Sequence, residues 1–220
     1  FERARALDPR NGRVLWQLAD LEMRDRRFDA AAAILKDALE REVDRERFLL
    51  KLAECELELK QLDAAEKALR EALATQPKLE TAHFNLGLVH EERGEVEQAI
   101  AEYQLELASH ESAHRAAFNL ARLLSRSGRP REALERFRQV ASLAPEFAIG
   151  RLYLAKALLD AGDFGGAERE AKAGLGLQPE ASLAPLGHYV LADAYNRQGR
   201  SAEARAQQQA GDRIAGRSPR

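Results

Sequence analysis

The sequence predicts an all-α chain of stacked antiparallel helix pairs, and three observations predict it. A leucine followed by a small residue recurs every 34 residues, as Leu18-Ala19, Leu52-Ala53, Leu86-Gly87, Leu120-Ala121 and Leu154-Ala155. Around each such pair, apolar residues return at i, i+3, i+4 and i+7, the spacing of one helical face. Glycines such as Gly94, Gly128 and Gly162 interrupt the pattern at one fixed place in the period, where a helix would end. A fixed period means that each repeat buries its apolar face against its neighbours and that no central core is needed.

Numbered from 1 to 34, the repeats fall at 12–45, 46–79, 80–113, 114–147 and 148–181, with a sixth at 185–218 after a three-residue insertion at 182–184. Several positions fix this register together. Position 7 holds Leu18, Leu52, Leu86, Leu120, Leu154 and Leu191, and position 8 holds Ala19, Ala53, Gly87, Ala121, Ala155 and Ala192. Position 20 is alanine throughout, as Ala31, Ala65, Ala99, Ala133, Ala167 and Ala204, and position 32 is Pro77, Pro145 or Pro179 in three of the repeats.

Within a repeat, helix A is expected over about positions 2 to 14 and helix B over about 18 to 31, made antiparallel by a short turn. Small residues at positions 8 and 20 let the two helices approach closely, so larger side chains there would overpack. Position 15 carries Gly94, Gly128, Gly162 and Gly199, which supply the left-handed residue that ends helix A. Arg26 and Lys60 hold that place in the first two repeats, where a left-handed backbone is costly for a residue with a Cβ.

The ends differ. Residues 1–11 read as the end of a preceding repeat, with Phe1 to Leu7 as its helix B and Asp8-Pro9 closing it. With no initial Met, the chain reads as a piece of a longer protein. In the last repeat Arg205 and Gln208 stand where the third has Ile100 and Tyr103, the polar outer face of a terminal repeat. Gly216 to Arg220 read as a frayed tail.

These leucine-small, alanine and proline marks, in phase over six repeats, resemble the tetratricopeptide repeat family along essentially the whole chain. The resemblance implies a right-handed superhelical α-solenoid, here as a single array over 12–218. It also implies a concave groove lined by positions 2, 5, 6, 9, 12 and 13 of helix A. The groove candidates are then Trp16, Leu50, Phe84, Phe118 and Tyr189 at position 5, Asn85, Asn119 and Tyr153 at position 6, Arg115 at position 2, and Arg122 and Lys156 at position 9. The position-5 residues serve either as core support or as a ridge facing a ligand. Asn85 and Asn119 resemble part of the asparagine ladder in O-GlcNAc transferase repeats, an amide being able to pair with both N–H and C=O of an extended backbone. The carboxylate clamp of heat-shock cochaperones is not matched, because Leu50 and Glu54 stand where it needs Lys and Asn.

Composition narrows the function classes. An apolar share of 45% with 32% charged residues is that of a folded chain. A net charge of -2 argues against nucleic acid, which would call for a basic excess. Cys55 alone excludes an internal disulfide and any multi-cysteine metal site. No run of 18 apolar residues predicts a membrane span. Catalysis needs a nucleophile with its base, or a metal, on rigid elements, and no such set stands out. His83 and His90 fall at positions 4 and 11, where the family packs an aromatic, and His110 and His114 flank the next connection. No catalytic residue, metal ligand or cofactor is therefore expected.

The groove candidates carry uneven charge, acidic at Glu54, Glu58, Glu91 and Glu92 and basic at Arg115, Arg122, Arg126 and Lys156. The reading is a protein–protein interaction scaffold that takes an extended peptide or a partner helix in its concave groove. The alternative is a docking or regulatory module of a larger enzyme whose catalytic domain lies upstream. Richness in Ala, Arg and Leu suggests a bacterial source.

Overall fold

The structure is a computed structural model that describes residues 11–40 and 45–216. The expectations for 1–10 and for the tail after Gly216 lie outside the described residues. Two compact units divide the chain, Phe1–Glu111 and Ser112–Arg220, and the division falls beside the expected boundary between the third and fourth repeats. Among the described residues every regular element is a helix.

In the first unit the helices are α1 (Gly12–Arg24), α2 (Phe28–Leu39), α3 (Arg45–Glu58), α4 (Leu62–Thr75), α5 (Ala82–Arg93) and α6 (Val96–Ser109). Each packs on the next in the chain, and helix A of the second repeat, α3, also touches helix A of the third, α5. In the second unit they are α7 (His114–Arg126), α8 (Pro130–Leu143), α9 (Ala148–Asp160), α10 (Phe164–Gly176), α11 (Ala184–Arg197) and α12 (Ser201–Ile214). Here too each packs on its successor, and α9 touches α11. This is the consecutive helix-pair stacking that the period predicts.

Small residues set the approach of helix A to helix B. The six alanines at position 20 are 2% exposed or less, and the leucines at position 7 are buried. Gly87 shows why position 8 must stay small: a Cβ there would lie 2.4 Å from the ring of Tyr103. At position 15 the backbone is left-handed in every repeat, with φ of +75° at Gly94 and Gly128, +84° at Gly162 and +76° at Gly199. Arg26 and Lys60 adopt the same conformation at φ +59°, so stacking overrides their local preference.

Asn11 caps α1, its side chain accepting from the Val14 N–H at 3.3 Å. The start of α5 is capped from a distance instead. Thr81 is left-handed at φ +67° and makes no side-chain cap. Glu106 of α6, 1% exposed, takes its place by accepting from the N–H groups of Thr81 at 2.8 Å and Phe84 at 3.1 Å. A buried carboxylate thus satisfies two of the donors that every helix start leaves orphaned. His110 Nδ1 stands 3.2 Å from the same carboxylate.

Candidate functional site

Helix A side chains line a cleft in each unit. In the first unit a cleft of about 620 Å³ is walled by Trp16 of α1, by Arg47, Leu50, Lys51 and Glu54 of α3, and by the turn that leads to Thr81. The Trp16 ring stands edge-on to Phe48 at 5.4 Å and carries Lys51 Nζ at 4.2 Å above it. Lys51 is almost fully buried and donates to Asp20 Oδ1 at 2.9 Å. That hydrogen bond holds the Asp20 carboxyl below its usual range.

The second unit has a cleft of about 360 Å³ between the last turns of α7 and α9, lined by Arg122, Ser125, Arg126, Phe137, Tyr153, Lys156, Ala157 and Asp160. Tyr153 lines it and packs on two other rings. Its ring meets Phe118 edge-on at 5.2 Å and Phe137 at 5.8 Å. Lys156 donates to Asp160 Oδ2 at 2.6 Å.

The groove candidates thus separate into groups. Trp16 and Leu50 share the first cleft, and Arg122, Tyr153 and Lys156 share the second. Phe84 and Phe118 are only 5% and 8% exposed. They pack on Tyr103 and on Phe137, Phe147 and Tyr153, respectively, so position 5 is core support at these two places. Asn85 is buried as well, and its Nδ2 meets no acceptor among the described residues. Asn119 is half-buried and Arg115 exposed, and neither borders the second cleft. Tyr189 is half-buried, its ring close to Gly211 and its hydroxyl donating to Asp212 at 3.0 Å on the following helix.

Two of the acidic groove charges and two histidines make contacts within the fold. Glu92 pairs with Lys60 at 2.7 Å, and Glu91 accepts from the Tyr103 hydroxyl at 2.9 Å. His83 and His90 are spoken for by Glu102 at 2.7 Å and Glu95 at 2.5 Å. Burial pushes the Cys55 thiol up to about 12, which keeps it protonated and unreactive. No group of three or more metal-ligating side chains occurs among the described residues, and no described helix is long and apolar enough to cross a membrane. Sequence reading passed over Arg47, Lys51 and Ser125 as cleft residues. Arg47, Lys51 and Ser125 fall at positions 2, 6 and 12, which the expected groove pattern already contained.

A tetratricopeptide repeat model matches residues 22–86, and a second tetratricopeptide repeat model matches 1–41, 118–182 and 152–219. No curated protein matches the chain. Among solved structures, PilW, a type IV pilus biogenesis factor, is 25% identical with a TM-score of 0.72, over 90% of this chain and 92% of that one. YrrB, described as a TPR protein with an unusual peptide-binding site, is 17% identical with a TM-score of 0.69, over 84% and 94%. A tetratricopeptide repeat protein from Parabacteroides merdae is 20% identical with a TM-score of 0.67, over 94% and 80%. Likeness at this level is a likeness of fold.

Proposed function

Because the chain belongs to the tetratricopeptide repeat family, we propose that it is a non-catalytic protein-interaction scaffold whose helix A faces hold an extended peptide. One observation carries the reading. Helix A side chains, Trp16 and Leu50 at position 5 in one unit and Tyr153 at position 6 with Arg122 and Lys156 at position 9 in the other, line open clefts. Rigid clefts suit this work, since a lining packed on other rings loses little entropy when a ligand arrives. The peptide-binding site named for YrrB is a property of that protein; it supports the class of ligand, not its sequence.

Random-peptide display on the immobilised chain, followed by titration of the recovered peptides, tests the reading. Trp16 is the sole tryptophan and borders the first cleft, so a shift in its emission reports occupancy there. Arg122→Glu is expected to weaken peptides seated in the second cleft by about tenfold or more. Arg136→Glu, on helix B, is expected to leave them unchanged. Failure to recover peptides, or equal losses from both substitutions, would place binding elsewhere or nowhere.

A further inference from the structure

We infer that one edge of the second unit, formed where each helix B ends, docks an amphipathic helix of a partner protein whose apolar stripe is flanked by Lys or Arg. Five large apolar side chains are exposed among the described residues, Leu21, Leu105, Leu143, Leu177 and Ile214. Three of them, Leu143, Leu177 and Ile214, hold position 30 of the fourth, fifth and sixth repeats and are 39%, 40% and 43% exposed. Consecutive packing of α8 to α12 sets equivalent positions side by side, so the three form one ridge. In the second and third repeats the same position is Thr75 and Ser109. Single exposed apolar residues are ordinary, but a row of them marks a contact surface. None of the three borders either cleft.

Backbone chemistry and charge select the occupant. Pro145 and Pro179 follow Leu143 and Leu177 by two residues and carry no N–H. The ridge itself stands on helix ends, not on a strand edge. An extended peptide would find few backbone partners there, whereas a helix satisfies its own backbone and offers side chains alone. Glu146 and Glu180 stand three residues after Leu143 and Leu177. Both are exposed, and neither meets a cation among the described residues. Arg151 is engaged elsewhere, donating to the Pro145 C=O at 2.6 Å and to Glu170 at 2.7 Å. Arg213 lies at the far end of the ridge, beside Ile214. The rest of the unit is richer in Lys and Arg than in Asp and Glu, so a basic helix is drawn to this edge and repelled elsewhere.

Helical peptides displayed with one randomised face and selected on the full chain supply the probe. Recovered helices are expected to carry an apolar stripe flanked by Lys or Arg. In fluorescence polarisation they should bind at least about tenfold more weakly when Glu146→Lys and Glu180→Lys are introduced together. Replacing the basic residues of the peptide by Glu should restore most of that loss, a rescue that a merely structural role would not give. Both glutamates are exposed, so the melting temperature should hold in the double variant. Leu177→Asp is expected to weaken binding as much, and Arg122→Glu to leave it unchanged. Recovery of no helix, helices without basic residues, or affinity indifferent to the double variant would overturn the inference. A dimer of the chain alone in sedimentation velocity, dissolved by Leu177→Asp, would assign the ridge to a second copy and overturn it too. None of these outcomes bears on the clefts, so the scaffold reading stands or falls separately.

Discussion

Gly87 and Tyr103 determine each other's size. Tyr103 is among the largest fully buried side chains, and its ring fills the space in which a Cβ on Gly87 would lie. Other repeats solve the same contact with alanine at position 8 and Leu35, Leu69 or Phe137 at position 24. Gly87→Ala is therefore expected to cost about 1–3 kcal/mol by overpacking, read from denaturant unfolding. Adding Tyr103→Leu, which reproduces the Ala53 and Leu69 pairing, should recover much of that loss, since the two sites are in contact and not additive. A double variant no more stable than Gly87→Ala would show that the ring is not what excludes the methyl group. Lys60 tests the backbone in the same way. Its left-handed conformation at φ +59° costs about 1–2 kcal/mol, against an exposed pair with Glu92 that contributes about 0–1 kcal/mol. Strain is the larger of the two, and differential scanning calorimetry of Lys60→Gly should show a rise of about 2–4 °C for each kcal/mol relieved.

Between repeats, the elements are joined by a device that recurs at one position. Glu66 of α4 and Glu168 of α10 both stand at position 21 of helix B, and both grip the end of the next helix A. Arg93, at the end of α5, donates to Glu66 and Asp63. Gln198 and Arg200, just after α11, donate to Glu168 at 3.4 and 2.7 Å. Lys172 donates to Glu168 as well, at 2.7 Å, and Arg200 lies over the Tyr195 ring at 4.1 Å. The Lys172 hydrogen bond foremost, with those of Arg200 and Gln198, lowers the Glu168 carboxyl from 4.5 to about 2. A carboxylate whose folded value is depressed stabilises the fold above its unfolded value and loses that contribution as the pH falls. Glu168→Gln should therefore unfold at lower denaturant than the parent at pH 7. The gap should narrow below about pH 4.5 and close near pH 2, and a gap independent of pH would mean that the carboxylate charge is not what the clamp uses. Of these contacts only the register was legible beforehand. Position 21 is Ala32, Ile100 and Leu134 in other repeats, so nothing periodic announces a clamp. Glu106 capping α5 was hidden for a related reason, because the residues it joins are 25 and 22 apart and Thr81 shows no preference for a left-handed turn.

At the scale of the molecule, the fold was legible because stacking on a neighbour is the one tertiary contact that repeats, and it therefore leaves a period of 34 in leucine, alanine and glycine. The candidate site was legible only in part. Trp16, Leu50, Phe84 and Phe118 share position 5, yet the first two border a cleft and the last two are buried. The neighbours of position 5, such as Phe48 beside Trp16, Tyr103 beside Phe84 and Phe147 beside Phe118, vary from repeat to repeat, so the period does not carry its exposure. The same nearest-neighbour logic makes a prediction about stability. In a stacked array, stability is a sum of repeat and interface contributions, so damage propagates to adjacent repeats and fades beyond them. Gly87→Ala loosens α5 against α6, and within its unit α5 also packs on α3 and α4. Native-state hydrogen exchange on this variant should show faster exchange in α3 to α6 and unchanged protection in α9 to α12. A uniform loss of protection through α12 would mean that the chain opens as a single cooperative block.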